Sequence, residues 1–388
     1  MQTVVERLLS DVRELAPAIT ARAGEIETAR RMPLDLVAEL RKLGLFRMVV
    51  PKSHGGFELD YPDRLQVLAA LAAVDGTAGW TVMIGGDAPL FFSRLRRELF
   101  DRIYAAGPDV VLAGSFTPVG TADPADGGYR VSGRWPFASG CQHADWILGV
   151  AVLKGSGPAA PGAPPPIRFF VLPAREWQIE DTWHASGLKG TGSHHIKLQD
   201  AHVPAEQSFD LFADPSSIPG PLYAVPGRFI PLGTGAVAVG IAEGAIADLV
   251  NLASAGKRHL FGRTGVRESP VFQYELGQLE ADVRAARALL ESQAASHWRH
   301  TLAGRMSDFT LDTEGFQANA WIAAACARAV DKCYTLAGGS AVYESSPLQR
   351  RLRDVHAVTQ HVTVHQRHYA GAGAMRLGLP VGHPLFGG

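Results

Sequence analysis

The sequence is poor in cysteine. It has three, Cys141, Cys326 and Cys333, and no pair is spaced as CxxC. That rules out a disulfide framework and a cysteine zinc site, and it fits a reducing compartment, so a cytoplasmic protein is expected. Neither sign of charge is in excess, since 37 Lys plus Arg stand against 38 Asp plus Glu. With no basic stripe and no acidic tail, neither nucleic acid nor an anionic membrane is expected as a partner. A 20-residue apolar run is also missing. The longest weakly polar stretch, Gly233 to Val250, is rich in Gly and Ala and carries Glu243 and Asp248, which reads as a buried helix. Charges interrupt the apolar pattern of the N-terminus, unlike a signal peptide. After Asp354 there is no Asp or Glu at all.

What is present suffices for a large interior. Hydrophobic residues make up 46% of the 388 and charged residues 19%, a composition and length that suit two or three domains. Residues 4 to about 105 read as helices. Val4, Val5, Leu8, Leu9, Val12, Leu15 and Ile19 recur at three- and four-residue spacing. Pro33 opens a helix over 34–43 that Gly44 closes, and further helices are expected over 63–74, through Trp80 and Met83, and over 90–105. From 109 to about 207, short β-prone runs alternate with turn residues, predicting a small antiparallel barrel or sandwich. Helical periodicity returns near 228. Long helices near 232–255, 271–302, 311–336 and 348–377 predict an up-and-down bundle. The expected units are 1–108 helical, 109–227 β and 228–388 a four-helix bundle.

Four strings occur in this order: LRKLGLFRMVVPKSHGGFELDY (40–61), GRWPFASGCQHADWILGVA (133–151), SGLKGTGSHHIKLQDAHVP (186–204) and LAGGSAVYESSPLQRRLRD (336–354). Together with the helix–β–helix order they resemble the acyl-CoA dehydrogenase fold, an α+β architecture, over almost the whole chain. A dehydrogenase of that family needs a carboxylate to take a thioester α-proton. The family's Glu follows the Arg-Asp pair matched by Arg353-Asp354, where this chain has no acid, or lies in an Arg-Glu-x-Phe-Gly string, where this chain reads Arg258-His259-Leu260-Phe261-Gly262. The segments 71–80 and 181–196 and the His-rich C-terminal helix look more like the oxygenase components of two-component flavin-dependent monooxygenases. That resemblance implies reduced flavin (FMNH2 or FADH2) supplied by a separate reductase, O2, a C4a-hydroperoxyflavin, a small aromatic substrate, and a homotetramer.

A reactive oxygen species on flavin survives where water is excluded and donors are few and neutral. GRWPFASG fits: Trp135 and Phe137 offer aromatic surface, and Ser139 a hydroxyl beside Gly140; the plainer reading is a strand packed on the bundle. The resemblance adds Phe116, Thr117 and Pro118 at the flavin's pyrimidine edge, and Trp183 with the Gly190-Thr191-Gly192 turn near the mouth. For phosphates it adds Arg258, Phe261, Arg263, Gly338 and Gly339, the last two otherwise a helix C-cap. His361 is the sharpest catalytic candidate, as acceptor of a phenol proton or as hydrogen-bond partner of the activated oxygen, and His365, one turn later on a continuous helix, is its rival. Histidines 361, 365 and 368 share a face, but HVTVHQRH lacks a carboxylate, so no metal is expected. An atypical acyl-CoA dehydrogenase using FAD and a flavin-free binding protein are the alternatives.

Overall fold

The computed structural model describes residues 2–155, 166–224, 230–258, 265–305 and 308–382. The N-terminal helices are α1 (Val4–Ala21), α2 (Ala23–Ala29), α3 (Leu34–Leu43), α4 (Tyr61–Val74), α5 (Gly76–Gly85), α6 (Ala88–Phe92) and α7 (Arg97–Tyr104). Thr3 and Glu6 form a reciprocal capping box at the start of α1, whose Leu8, Val12 and Ile19 are buried as their spacing predicts. Gly44 ends α3 at φ 85°, a left-handed turn. The helix expected over 90–105 is two helices. The Ser93 hydroxyl turns back to the Leu90 carbonyl, and the Ser93 carbonyl accepts from the Ser217 N–H and hydroxyl, so the backbone there is satisfied outside a helix.

The strands are β1 (Leu112–Ala125), β2 (Gly128–Ala138), β3 (Trp146–Leu153), β4 (Ile167–Pro173), β5 (Gln178–Glu180), β6 (His194–Pro204) and β7 (Ser208–Phe209). They make one seven-stranded sheet in the order β5-β6-β2-β1-β3-β4-β7. Its pairs are antiparallel except β1 with β3, which departs from the all-antiparallel expectation. The reason is topological. Because β2 runs back along β1, it ends beside the start of β1, and the short 139–145 connection delivers β3 there, with Leu112 opposite Trp146.

Trp135 sits fully buried in the sheet's own core, its Nε1–H donating to the Val150 carbonyl at 2.7 Å and its ring edge-on to Trp177. A Cβ at Gly120 would lie 2.2 Å from that indole, so the glycine is space made for it. Trp135 is therefore a core residue and not the flavin-facing surface that its string implied.

After the short α8 (Pro221–Ala224) the bundle is α9 (Ile230–Ser254), α10 (Pro270–Leu302), α11 (Phe309–Ala337), α12 (Pro347–Val358) and α13 (Arg367–Arg376). Residues 231–254 are long and apolar enough to cross a bilayer, but 67% of the most apolar window is buried inside the protein. A Cβ at Gly240 would stand 2.2 Å from the Ala69 carbonyl, so glycine lets α9 lie directly on α4. The expected fourth long helix breaks between Val358 and Arg367, with a 3-10 turn at Val362–Val364. This β-branched run is a weak helix former, and side chains satisfy its backbone: Asn319 Nδ2 donates to the Thr363 carbonyl at 3.1 Å.

One buried acid joins bundle to β unit. Asp354 of α12 accepts the Leu188 N–H at 2.6 Å through Oδ1. Burial, then the nearby Asp75 charge, pushes its carboxyl up to about 7. Between about pH 4, where an unfolded Asp titrates, and about pH 7, the folded chain holds a proton that the unfolded chain has released. Stability from this group is thus fully present below that window and is lost as pH rises through it. Asp354→Asn, which keeps an oxygen acceptor for Leu188, should gain in thermal midpoint relative to wild type between pH 5 and 8; a pH-independent difference would contradict this. Trp135→Ala should lower stability by about 3–5 kcal/mol in chemical denaturation, whereas Phe137→Ala, 64% exposed, should change it by less than about 0.5 kcal/mol.

Candidate active site

Trp80 is the junction of the site. Asp75 caps α5 by accepting the Ala78 N–H through Oδ1 at 3.0 Å, and the buried Trp80 follows one turn on. Its Nε1–H donates to Ser139 Oγ at 3.0 Å, and its ring stands edge-on to the His361 imidazole, with centroids 5.3 Å apart. One indole thus connects the N-terminal helices, the end of β2 and the break after α12.

Ser139 is buried, just past β2. The strand ends in a kink: Phe137 adopts φ 64°, and the Ser139 N–H returns to the Phe137 carbonyl at 2.9 Å. Pairing with β6 is interrupted over the same residues, so Phe137 leaves the face that Trp135 buries and projects outward. Its ring meets Trp183 edge-on at 6.3 Å. Trp183 is held twice, by its backbone N–H on His194 Nδ1 at 3.2 Å and by its indole N–H on the Leu188 carbonyl at 3.1 Å.

Behind Ser139 runs a chain of hydroxyls. Ser139 Oγ lies 2.7 Å from Ser193 Oγ, Ser193 Oγ 2.7 Å from Thr191 Oγ1, and Thr191 Oγ1 donates to the Leu188 carbonyl at 2.8 Å. The Gly140 N–H donates to the Thr191 carbonyl at 2.8 Å and locks the two segments together. Leu188 itself is left-handed, φ 48°. The glycines of this string therefore serve a turn that presents Thr191 and Ser193.

His361 is half-buried and precedes the 3-10 turn. Its Nδ1 lies 2.8 Å from Thr363 Oγ1 and 3.4 Å from the Thr363 backbone nitrogen, and the Thr363 hydroxyl gives its own proton to Thr234 Oγ1 at 3.0 Å. Desolvation pushes the ring down to about 4, so it is neutral at pH 7. His365 is not one helical turn further on, because the helix has broken. It is exposed, and its Nδ1 accepts the Arg367 N–H at the start of α13. His368 is buried, 2.8 Å from the Val362 carbonyl and packed on Phe316. The three histidines thus do three separate jobs, and the shared helical face does not form.

The other expected cofactor residues divide. The β1–β3 ladder slips between Ser115 and Gly120, which frees the backbone of Phe116 to Val119. Thr117 and Pro118 are exposed there, but the Phe116 ring packs on Phe91 and Phe169. Arg258 is exposed beside Lys257, whose ammonium donates to the Ala337 carbonyl and, at 2.9 Å, to Ser340 Oγ. This brings the Arg258 loop to the Gly338-Gly339 turn, where a Cβ on either glycine would meet open space. Phe261 and Arg263 lie outside the described residues. Trp80, Ser193, Thr363 and Lys257 were not singled out from the sequence, although a Trp one turn into an Asp-capped helix and a Ser two residues after Thr191 were there to be read. These groups suit a flavin: exposed aromatic surface at Phe137, a neutral hydroxyl and a neutral imidazole behind it, and a cation with open glycine backbone at a second cluster.

The sequence profiles described as acyl-CoA dehydrogenase, N-terminal domain and acyl-CoA dehydrogenase, C-terminal domain match residues 5–90 and 232–366. The chain is 32% identical over 378 residues to an indole-3-acetate monooxygenase of Acinetobacter baumannii, covering 97% of this chain and 94% of that one. It is 34% identical over 380 residues to the oxygenase component of the FADH(2)-dependent resorcinol hydroxylase of a Rhizobium species, covering 92% and 90%. Among solved structures, 3-HSA hydroxylase from Rhodococcus superposes with a TM-score of 0.90 at 26% identity, covering 98% of this chain and 99% of that one. With such relatives matched along nearly their whole length, the chain belongs to the oxygenase components of flavin-dependent monooxygenases, built on the acyl-CoA dehydrogenase fold.

Proposed function

We propose that this oxygenase hydroxylates a small aromatic compound at the site where Ser139, Trp80 and His361 meet. The observation that carries this reading is the joining of a strand-borne hydroxyl and a bundle-borne neutral imidazole through one indole. Indole-3-acetate and resorcinol, named for two relatives, are both small planar aromatics. Reduced flavin, when bound, supplies the electrons that activate O2. A separate reductase delivers it, as the description of the resorcinol enzyme as an oxygenase component implies.

Phe137, Trp183, Ser139 and the freed backbone near Thr117 would hold the flavin ring; Arg258 with Gly338 and Gly339, and Phe261 and Arg263 by resemblance, would hold its phosphates. The chain's own chemistry is then simple. Buried Trp80 and its neighbours exclude water from Ser139. His361, neutral and with Nδ1 engaged by Thr363, offers Nε2 for a hydrogen bond to the substrate or to the oxygen being transferred. Abstraction of a thioester proton has no base in the expected places, and Asp354 is spent on the Leu188 N–H.

We further infer a homo-oligomer, a tetramer by resemblance. Tyr274, Leu302, Phe309, Trp321, Val342 and Tyr343 are large apolar groups exposed on or beside the bundle helices, as covered subunit faces require. The three buried free cysteines fit a reducing cytoplasm.

Two tests follow. In NMR titration the His361 ring protons should stay at their neutral shifts down to about pH 4; a midpoint near the ordinary histidine value would remove the desolvated neutral imidazole. Rapid mixing of anaerobic protein and reduced FAD with O2 should give an oxygen-dependent transient absorbance that outlives that of free flavin, with hydroxylated product from an indole or phenol panel. His361→Ala should cut product yield about 10²-fold or more and leave reduced-flavin affinity nearly unchanged. Equal loss of both, or no transient from wild type, would contradict the reading.

A further inference from the structure

The direction of every hydrogen bond in the chain behind Ser139 is fixed by its last member. The Leu188 carbonyl can only accept, so the Thr191 hydroxyl must give its single proton to it, at 2.8 Å. Thr191 Oγ1 then has only lone pairs for Ser193, 2.7 Å away, and Ser193 must donate to it. Ser193 Oγ is in turn left with lone pairs for Ser139, also 2.7 Å away, so the Ser139 proton points backward to Ser193. From the other side Trp80 Nε1, which can only donate, occupies one Ser139 lone pair at 3.0 Å. What Ser139 has left is its second lone pair.

The terminal carbonyl is held firmly. Leu188 is left-handed, its N–H is taken by buried Asp354 at 2.6 Å, and its oxygen also accepts from the Trp183 indole and the Thr191 N–H at 3.1 Å each. Both peptide groups that flank Leu188 are thus pinned, and rotation of the 188–189 peptide would break all three bonds to the carbonyl.

We propose that Ser193 and Thr191 are positioning residues that hold Ser139 as an obligate acceptor, and that this makes the site selective for reduced over oxidised flavin. The inference rests on the reading that Ser139 faces the flavin ring. The two redox forms differ at N5. Reduced flavin carries an N–H there, which an acceptor binds; oxidised flavin carries a bare nitrogen, which needs a donor and meets lone pair against lone pair. Ser139 as oriented rewards the first and penalises the second. A protein that takes its cofactor reduced and must release it oxidised gains from that difference.

The test is equilibrium dialysis under argon of the full-length protein against FAD, oxidised and dithionite-reduced, in wild type and variants. Ser193→Ala and Thr191→Val free a hydroxyl proton to turn toward the ring, and each should lower the ratio of oxidised to reduced dissociation constants by about fivefold or more, the worth of one hydrogen bond of about 1 kcal/mol. Thr191→Ser keeps the relay and should keep the wild-type ratio. Ser139→Ala should also lose the preference. If Ser139→Ala lowers the ratio while Ser193→Ala and Thr191→Val do not, the relay is overturned and the placement of Ser139 stands. If Ser139→Ala leaves the ratio unchanged, both fail. Proportional weakening of both redox forms in the Ser193 and Thr191 variants would mark a merely structural role and also overturn the proposal.

Discussion

The arrangement around Ser139 depends on one residue, Leu188, whose two flanking peptide groups are both held. Its N–H is tied to a carboxylate from the bundle and its carbonyl collects donors from the turn, while the residue itself stays in a backbone region that a β-carbon disfavours. Such a conformation persists only when its surroundings over-determine it. Here they do, and the cost is repaid by fixed geometry along Thr191, Ser193 and Ser139. The acid responsible, Asp354, is buried beside a second acid, Asp75, which caps the helix bearing Trp80. Two buried carboxylates thus brace the two sides of the Ser139 hydroxyl: one through Leu188, the other through the helix that aims the Trp80 N–H.

The same scaffold can serve two chemistries, and the difference lies in what stands near the flavin. Proton abstraction from a thioester needs a charged base that can reach the substrate, whereas oxygen transfer needs neutral groups and little water. In this chain Asp354 and Asp75 take bracing roles, and the proposed site has a neutral imidazole in place of a charge. His361 stays neutral because burial opposes its cation, and its Nδ1 is engaged by Thr363. The break in the helix after Val358 makes that possible. A continuous helix would have kept the Thr363 N–H for its own ladder and left His361 with both nitrogens free.

Much of the fold was legible because it rests on local pattern. The Val4–Ala21 helix, the Gly44 stop and the three long bundle helices follow from apolar spacing and capping residues that tertiary packing had no reason to override. The misreadings share a cause: each turned on a contact distant in sequence. Trp135 and Phe137 have the same parity along a strand and so appear to share a face, but the kink at Phe137 and the broken pairing with β6 separate them. His361 and His365 share a face only on a helix, and Asn319 and Thr234, far away in the chain, stabilise the break. The parallel pairing of β1 with β3 is likewise a fact of topology that strand propensity cannot encode. The structure brings Ser139 and His361, both named from their strings, to one indole, whereas Trp80 itself and the Ser193–Thr191 relay required the structure.

The central claim, that Ser139 meets reduced flavin with a lone pair, can be put to one measurement: the proton spectrum of reduced flavin labelled with 15N at N5 and bound to the protein without oxygen. A hydrogen bond to Ser139 predicts an N5–H resonance shifted downfield of free reduced flavin and slow to exchange, and lost to the free-flavin position in the Ser139→Ala protein. An N5–H signal at the free-flavin position in wild type, or one that the substitution does not move, would contradict it.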